Sequence, residues 1–150
     1  MVLVVLGASA LAIALLVLLN VLIGGWASAR LTSAEAAEQA LAHGVYGFRA
    51  QPPVALSADG AGALALEEGG GRLGLAVALG DTITVRALAP GDLKAVRRHG
   101  EELTLALNDY TFPTARLRFA DAEHAQRWQA TAEEYLAAPA LPTAFESRHA

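Results

Sequence analysis

An apolar N-terminal stretch without charges constrains this chain more than any other feature. Residues 1–29 contain no Asp, Glu, Lys, Arg or His. Residues 2–24 would extend about 34 Å as a helix, at about 1.5 Å per residue. The hydrocarbon core of a bilayer is about 30 Å thick, so the stretch predicts a transmembrane helix. Trp26 follows it, where an amphipathic ring suits the headgroup level.

A cleaved signal peptide is the alternative interpretation of the same stretch. Ala27-Ser28-Ala29 has the A-x-A form that a signal peptidase accepts. The stretch has no Lys or Arg before its apolar run, and that run exceeds the roughly 7–15 residues of a usual signal peptide. These two departures favour an uncleaved anchor.

The basic residues also suggest an orientation and a source. Arg30 and Arg49 follow the helix and no basic residue precedes it, so the positive-inside rule favours a cytoplasmic C-terminal side. A periplasmic side stays open. The chain has ten Arg to one Lys and is rich in Gly, Ala and Leu, which suggests a high-GC bacterial genome. We therefore expect a single-pass protein of the bacterial inner membrane.

The remaining composition excludes several classes of protein. All 11 basic and 15 acidic side chains lie in residues 30–150, the formal net charge is −4, and cysteine is absent. No disulfide scaffold or Cys-ligated metal site is available. Nucleic-acid binding is disfavoured, because such domains usually carry a basic excess. The length leaves room for one small folded domain.

A short helix and a linker are expected after the membrane segment. Thr32-Ser33-Ala34-Glu35 has the form of a capping box, with Thr32 as the N-cap. An Ala-rich helix then runs to about His43, with Gly44 at C′. This helix is either separate or a continuation of the membrane helix as a stalk. Residues 45–53 look like a linker, because Gln51-Pro52-Pro53 breaks a helix.

From Val54 the apolar residues recur at every second position. This period predicts about seven short strands separated by turns, including a tight hairpin at Gly80-Asp81, and favours an antiparallel barrel or sandwich. The predicted strands cover residues 54–56, 64–66, 73–79, 82–87, 93–98, 103–107 and 114–119, and the fifth of them is edge-like.

A helical period returns at the end of the chain. Asp121 is a good N-cap, and Glu123 lies in the first turn, where the helix dipole favours it. One apolar stripe is formed by Ala125, Trp128, Ala132, Tyr135 and Leu136. The helix is expected to stop near Ala138, before Pro139.

The expected fold class is α+β: a transmembrane helix, then a small antiparallel barrel or sandwich capped by one C-terminal helix. The expected organisation is a transmembrane helix at 1–26 and a juxtamembrane helix and linker at 27–52. A β domain with its helix occupies 53–138, and a flexible tail occupies 139–150.

The run from Leu117 to Trp128, LRFADAEHAQRW, resembles the last strand, turn and Trp-bearing helix of pleckstrin-homology-like (PH-like) domains. The resemblance covers about residues 53–138. Members often bind phosphoinositides through basic residues between the first two strands, whereas the early loops here, at 57–60 and 67–71, are acidic or neutral. The resemblance therefore implies a scaffold for interactions, since fold alone does not set function.

Two groups of basic residues are candidate interaction sites. The densest is Lys94, Arg97, Arg98 and His99, which would contact anionic headgroups or simply protect an edge strand from pairing. Arg86, Arg116 and Arg118 are expected on outward strand positions, as a face for a protein partner or as an ordinary solvated sheet face.

The other chemistry-bearing residues favour a structural interpretation. Trp128 is expected to plug one end of the barrel. Tyr110, Phe112 and Pro113 form either a small recognition spot or a cover over the barrel mouth. The four histidines, His43, His99, His124 and His149, have no spacing that suits zinc. The chain lacks the nucleophile-elbow and phosphate-loop motifs.

These observations predict a non-catalytic, membrane-anchored interaction or scaffolding module, with no cofactor, small-molecule substrate or nucleic-acid partner. Its partners would be the bilayer and a protein of a membrane complex. The alternative is a small accessory subunit, in which the membrane helix makes the main contacts and the domain clamps a neighbour.

Overall fold

The computed structural model describes residues 1–22 and 28–137. The expectations for Trp26, Ala27, the end of the last helix near Ala138 and the tail at 139–150 lie outside these residues. The helices are α1 (Val2–Leu22), α2 (Ala34–Gly44) and α3 (Ala122–Ala137). The strands are β1 (Ala50–Leu56), β2 (Gly62–Glu67), β3 (Leu73–Leu79), β4 (Thr82–Leu88), β5 (Leu93–His99), β6 (Glu102–Leu107) and β7 (Thr114–Arg118).

Helix α1 is long and apolar enough to cross a membrane. Its window from Val4 to Leu22 has a mean hydropathy of 2.6, and none of that window is buried against the rest of the protein. Such a surface is unfavourable in water, because a contiguous apolar area of this size drives association. Signal sequences near an N-terminus can have the same length and apolar composition.

The strands form two antiparallel sheets. Sheet A has the order β1-β2-β3-β4 and sheet B the order β5-β6-β7. Within the described residues no ladder joins β4 to β5 or β1 to β7, so the domain is a sandwich and not a closed barrel. Two sheets of four and three strands followed by a helix are compatible with the PH-like fold.

The apolar residues form two cores, one on each face of sheet A. The larger core lies between the sheets and includes Leu75, Leu105, Leu117 and Phe119, with α3 packed against it. The smaller core lies on the outer face of sheet A and is covered by α2. The layer order is therefore α2, sheet A, then sheet B with α3 along β5 and β6.

Helix α2 is a separate, docked helix and not a stalk that continues α1. Its N-cap is Ser33, one residue after the predicted Thr32, and the Ser33 hydroxyl accepts from the Ala36 amide at 3.1 Å. Leu41 is fully buried against the sheet. The helix docks because its one large apolar residue, Leu41, and its alanines cover the small side chains of sheet A, such as Ala63 and Ala76.

The predicted linker at 45–53 is wrong in its second half. Strand β1 begins at Ala50, and its pairing with β2 is interrupted between Gln51 and Ala55. Pro52 and Pro53 lie in this irregular stretch, where a residue without an N–H is tolerated on an edge strand. Gly44 ends α2 without a positive φ, so its predicted C′ role is wrong.

Helix α3 follows its sequence pattern closely. Asp121 caps it by accepting from the His124 amide at 2.6 Å. Its buried residues are Ala125, Trp128, Ala132 and Tyr135. Leu136, placed on the same stripe by the sequence, is instead exposed. It follows the buried Tyr135 by one residue and lies outside the face of α3 that contacts the core.

Candidate functional site

The outward faces of the two sheets differ in what covers them. Sheet A is covered by α2, whereas α3 packs against the inner core beside β5 and β6. The outward positions of sheet B are at least partly exposed, and all of them except Ala95 and Ala106 are polar. On this uncovered face the structure brings together Arg97 of the first predicted group and Arg116 and Arg118 of the second.

The strand register places three arginines on one face of sheet B. Arg97, Thr104 and Arg116 are directly opposite one another across β5, β6 and β7. His99, Glu102 and Arg118 form the next row. Because neighbouring strands lie about 4.8 Å apart, the Cα atoms of Arg97 and Arg116 are about 10 Å apart. These six residues are called the basic face.

The basic face has more positive than negative charge. Arg97, Arg116 and Arg118 are exposed. Within residues 1–22 and 28–137 the two ion pairs are Arg72–Glu67 and Arg86–Asp109, and neither lies on this face. Free guanidinium groups can bind a carboxylate or phosphate through paired hydrogen bonds. The face is therefore suited to an anionic ligand.

Arg118 lies closer to negative charge than Arg97 and Arg116 do. The pKa of Asp59 is lowered first by the hydrogen bond from Ser57 and also by the positive charge of Arg118. Glu102 is the directly opposite neighbour of Arg118 on β6. The row formed by Arg97, Thr104 and Arg116 is therefore the part of the face with the least neutralised charge.

The structure separates the residues of the predicted patch 94–99. The β5–β6 register shifts between Leu93 and Ala95, so Lys94 leaves the regular pairing. Arg98 is opposite the buried Leu103, which places it on the other side of the strand from Arg97. The four residues are adjacent in sequence but do not form one patch, because alternate residues of a strand point to opposite faces.

Arg98 has a structural task. Its Nε donates to Oε1 of Gln129 at 2.9 Å, and its Nη1 donates to the Gly100 carbonyl at 3.0 Å. The bond to Gln129 connects β5 to α3, and the bond to Gly100 holds the side chain against the turn that follows β5. Lys94 instead lines a depression at the β6–β7 loop with Tyr110 and Pro113.

Arg86 does not lie on the outward face that the sequence predicted. It is half-buried opposite Leu75, on the inner side of sheet A. The reason is that the apolar side chains of β4 point towards α2, where Val85 and Ala87 pack against the smaller core. The alternate position, Arg86, therefore points to the inner side. Without knowledge of the docked helix, the polar positions of β4 look solvated.

A depression of about 460 Å³ lies where β4 and β6 end, lined in part by Arg86, Asp109 and Tyr110. Nε of Arg86 is 3.5 Å from Oδ2 of Asp109. Hydrogen bonds from Thr111 lower the pKa of Asp109 and fix the loop. The charges at this depression compensate each other, so it is a weaker candidate than the basic face.

The aromatic and histidine candidates are dispersed. Trp128 is buried in the larger core, and Phe112 packs against that core from the loop. Tyr110 is fully exposed, so the three loop residues do not act together as a cover. In the described part of the chain no three His, Cys, Asp or Glu side chains group as metal ligands. His149 lies outside that part.

Comparison with known proteins gives no relative from which a function could be inferred. No protein-family model, curated protein or solved structure matches this chain.

Proposed function

We propose that this protein is a membrane-anchored, non-catalytic interaction module. In this proposal α1 spans the bacterial inner membrane once and carries a PH-like domain on the cytoplasmic side. The basic face of that domain binds an acidic segment of a protein partner at the membrane. The observation that carries the proposal is the row of Arg97 and Arg116 on an uncovered sheet face.

The membrane assignment is supported by the length and exposure of α1. Its 21 residues correspond to about 31 Å of helix, which matches the thickness of a bilayer core. The sidedness rests on Arg30 and Arg49 following the helix. A cysteine added to the C-terminal tail would test it, since the chain has none of its own. Labelling of that cysteine from outside intact cells would contradict the cytoplasmic assignment.

An acidic protein segment fits the basic face better than a lipid surface does. The guanidinium groups of Arg97 and Arg116 are spaced across three strands, so an extended chain with alternate carboxylates could reach both. The domain as a whole is not basic: residues 30–150 carry a formal charge of −4. A net negative domain is not attracted by its overall charge to an anionic membrane.

The test is purification from native membranes in mild detergent, with variants that reverse the charge of the face. The double substitution Arg97→Glu and Arg116→Glu should abolish capture of the partner. Arg127→Glu, which reverses an exposed arginine on α3, is the matched control and should retain it. Capture should also weaken at about 1 M salt, where the Debye length falls to about 3 Å. Equal capture by both variants would contradict the proposal.

The alternative is an accessory subunit of a larger membrane complex. It is favoured by α1 itself, because none of its window from Val4 to Leu22 is buried in the described protein, so that surface is available to another helix. Stoichiometric copurification that survives the charge reversal but is lost when α1 is replaced by an unrelated apolar helix would favour the subunit. Capture that is lost on charge reversal and survives the replacement of α1 would favour the interaction module.

A further inference from the structure

We infer that the β3–β4 hairpin tip rests in the lipid headgroup layer, so that the domain is held against the bilayer in one fixed orientation. The hairpin tip consists of Leu79, Gly80, Asp81, Thr82 and Ile83. This inference rests on the proposed membrane anchoring and adds which surface of the domain meets the lipid.

The chain that follows the membrane helix is attached directly to this hairpin tip. The Ala29 amide donates to the Gly80 carbonyl at 2.7 Å. Two residues later, the Leu31 amide donates to the Gly60 carbonyl at 2.9 Å, and the Leu31 side chain is 1% exposed. The entry point of the chain is therefore part of the folded domain and not a free linker.

The available length of chain keeps the hairpin tip near the bilayer. Ala29 is seven residues after Leu22. A fully extended chain of that length spans at most about 25 Å. Trp26, expected from the sequence at headgroup level, precedes Ala29 by three residues, or about 11 Å at most. Of the two ends of the sandwich, the end with the tip is thus the one nearest the membrane.

The hairpin tip presents apolar side chains to whatever lies there. Leu79 is 44% exposed and Ile83 is 37% exposed. In residues 28–137, the other large hydrophobic residues that are exposed are Tyr46, Tyr110 and Leu136. Tyr46 follows the C-terminus of α2, and Tyr110 lies in the β6–β7 loop. Leu79 lies on the inner side of sheet A and Ile83 on its outer side, so the two apolar side chains flank the tip, at the end of the sheet to which Ala29 is bonded.

The geometry of the turn holds these side chains in place. Leu79 and Thr82 are paired across a two-residue turn, Gly80-Asp81, in which Gly80 has a φ of 62°. A glycine with positive φ at the first central position is the requirement of a type II′ hairpin. The Thr82 hydroxyl also donates to the Leu79 carbonyl at 3.1 Å. A rigid tip loses little conformational freedom on entering the headgroup layer.

The contact is apolar and not electrostatic. Asp59, Asp81 and Arg30 lie near the entry point and all three are exposed, so positive charge does not dominate there. The basic face lies on the outward side of sheet B, whereas the tip belongs to sheet A. The insertion should therefore occur on neutral lipid and should resist salt.

Single labelled cysteines in the full chain test the inference, because the natural chain contains no cysteine. Leu79→Cys and Ile83→Cys place an environment-sensitive fluorophore at the tip. Tyr46→Cys and Tyr110→Cys are the matched controls at fully exposed positions away from it. Each variant is reconstituted into phosphatidylcholine vesicles, with and without lipids that carry a doxyl quencher near the headgroup.

The expected result is a blue shift and strong doxyl quenching at positions 79 and 83, with neither change at 46 and 110. The inference is overturned by labels at the tip that are as water-exposed as the controls. It is also overturned by a blue shift without doxyl quenching, which would indicate a protein contact. Quenching that needs anionic lipid and disappears in high salt would equally contradict it. Retention of each variant in the vesicle pellet after alkaline washing separates loss of tip contact from loss of anchoring.

Discussion

Trp128 is the single residue on which the packing of α3 most depends. Its indole is 6% exposed and lies in the larger core between the sheets. Trp128→Ala should lower the free energy of unfolding by about 3–5 kcal/mol, because it removes a large ring and leaves a cavity. Urea unfolding of the full chain in mild detergent measures this. Gln126→Ala, on the exposed side of the same helix, should change it by less than about 0.5 kcal/mol.

A loss below about 1 kcal/mol for Trp128→Ala would show that the ring is not an essential part of the core.

Tyr135 connects the end of α3 to the β2–β3 turn and gives the stability a dependence on alkaline pH. Its hydroxyl donates to the Gly70 carbonyl at 2.7 Å. Burial raises the pKa of Tyr135, and the negative charge of Glu67 raises it further. The folded pKa therefore exceeds the unfolded value of about 10. The stabilisation by the neutral phenol is complete below that value and is lost as pH rises through the folded pKa.

Tyr135→Phe should consequently be less stable than the natural chain by about 1 kcal/mol at neutral pH, because one hydrogen bond is lost. The difference should shrink and vanish as the pH rises above about 10. Thermal unfolding followed across this pH range provides the comparison. Parallel curves for the two proteins would mean that the phenol does not couple ionisation to folding.

At the scale of the elements, the alternation of apolar residues predicted most of the strands but not which elements pack against them. Strands β3 and β4 lie almost where the period of two placed them, because large apolar residues recur at every second position along each strand. The docking of α2 could not be seen, since its contact surface contains only Leu41 among large residues and otherwise small alanines. Strand β1 was missed because Pro52 and Pro53 argue locally against a strand, and only its edge position tolerates them.

The basic face could be predicted only in part, since it depends on register. Arg116 and Arg118 follow from the alternation of β7 with its buried Ala115 and Leu117. Their meeting with Arg97 depends on how β5 pairs after the irregularity at Lys94, which no local pattern specifies. A shift of one residue would exchange Arg97 for Arg98 on the outward side. The face is therefore a tertiary property of the chain.

Docking of α2 on sheet A is testable by truncating its main contact. Leu41 is fully buried between α2 and the sheet, close to Gly74 on β3. Leu41→Ala should lower the free energy of unfolding by about 2–5 kcal/mol. Glu38→Ala, at an exposed position of the same helix, should leave it within about 0.5 kcal/mol. A helix that served only as a stalk would tolerate both changes equally in urea unfolding.

For the molecule as a whole, the proposed membrane anchor is separate from the residues that stabilise the domain. Helix α1 contributes none of the residues of either core, whereas Leu31 belongs to the smaller one. The boundary between the two functions therefore lies between Leu22 and Ala29, which the Gly80 carbonyl holds. Two partly exposed side chains at the hairpin tip add at most a few kcal/mol of lipid affinity. That is less than stable anchoring requires, so in the proposed function α1 supplies the rest.

Two truncated chains test this separation. A chain of residues 28–150 keeps the Ala29 and Leu31 contacts, so it should leave the membrane fraction and unfold at the same temperature as the full chain. A chain of residues 32–150 loses the buried Leu31 and both backbone bonds, so it should be less stable by about 2–5 kcal/mol. Sedimentation with vesicles and thermal unfolding by circular dichroism measure the two properties separately. Equal stability of the two truncated chains would place the boundary after Leu31, and loss of folding in the longer one would make α1 part of the domain.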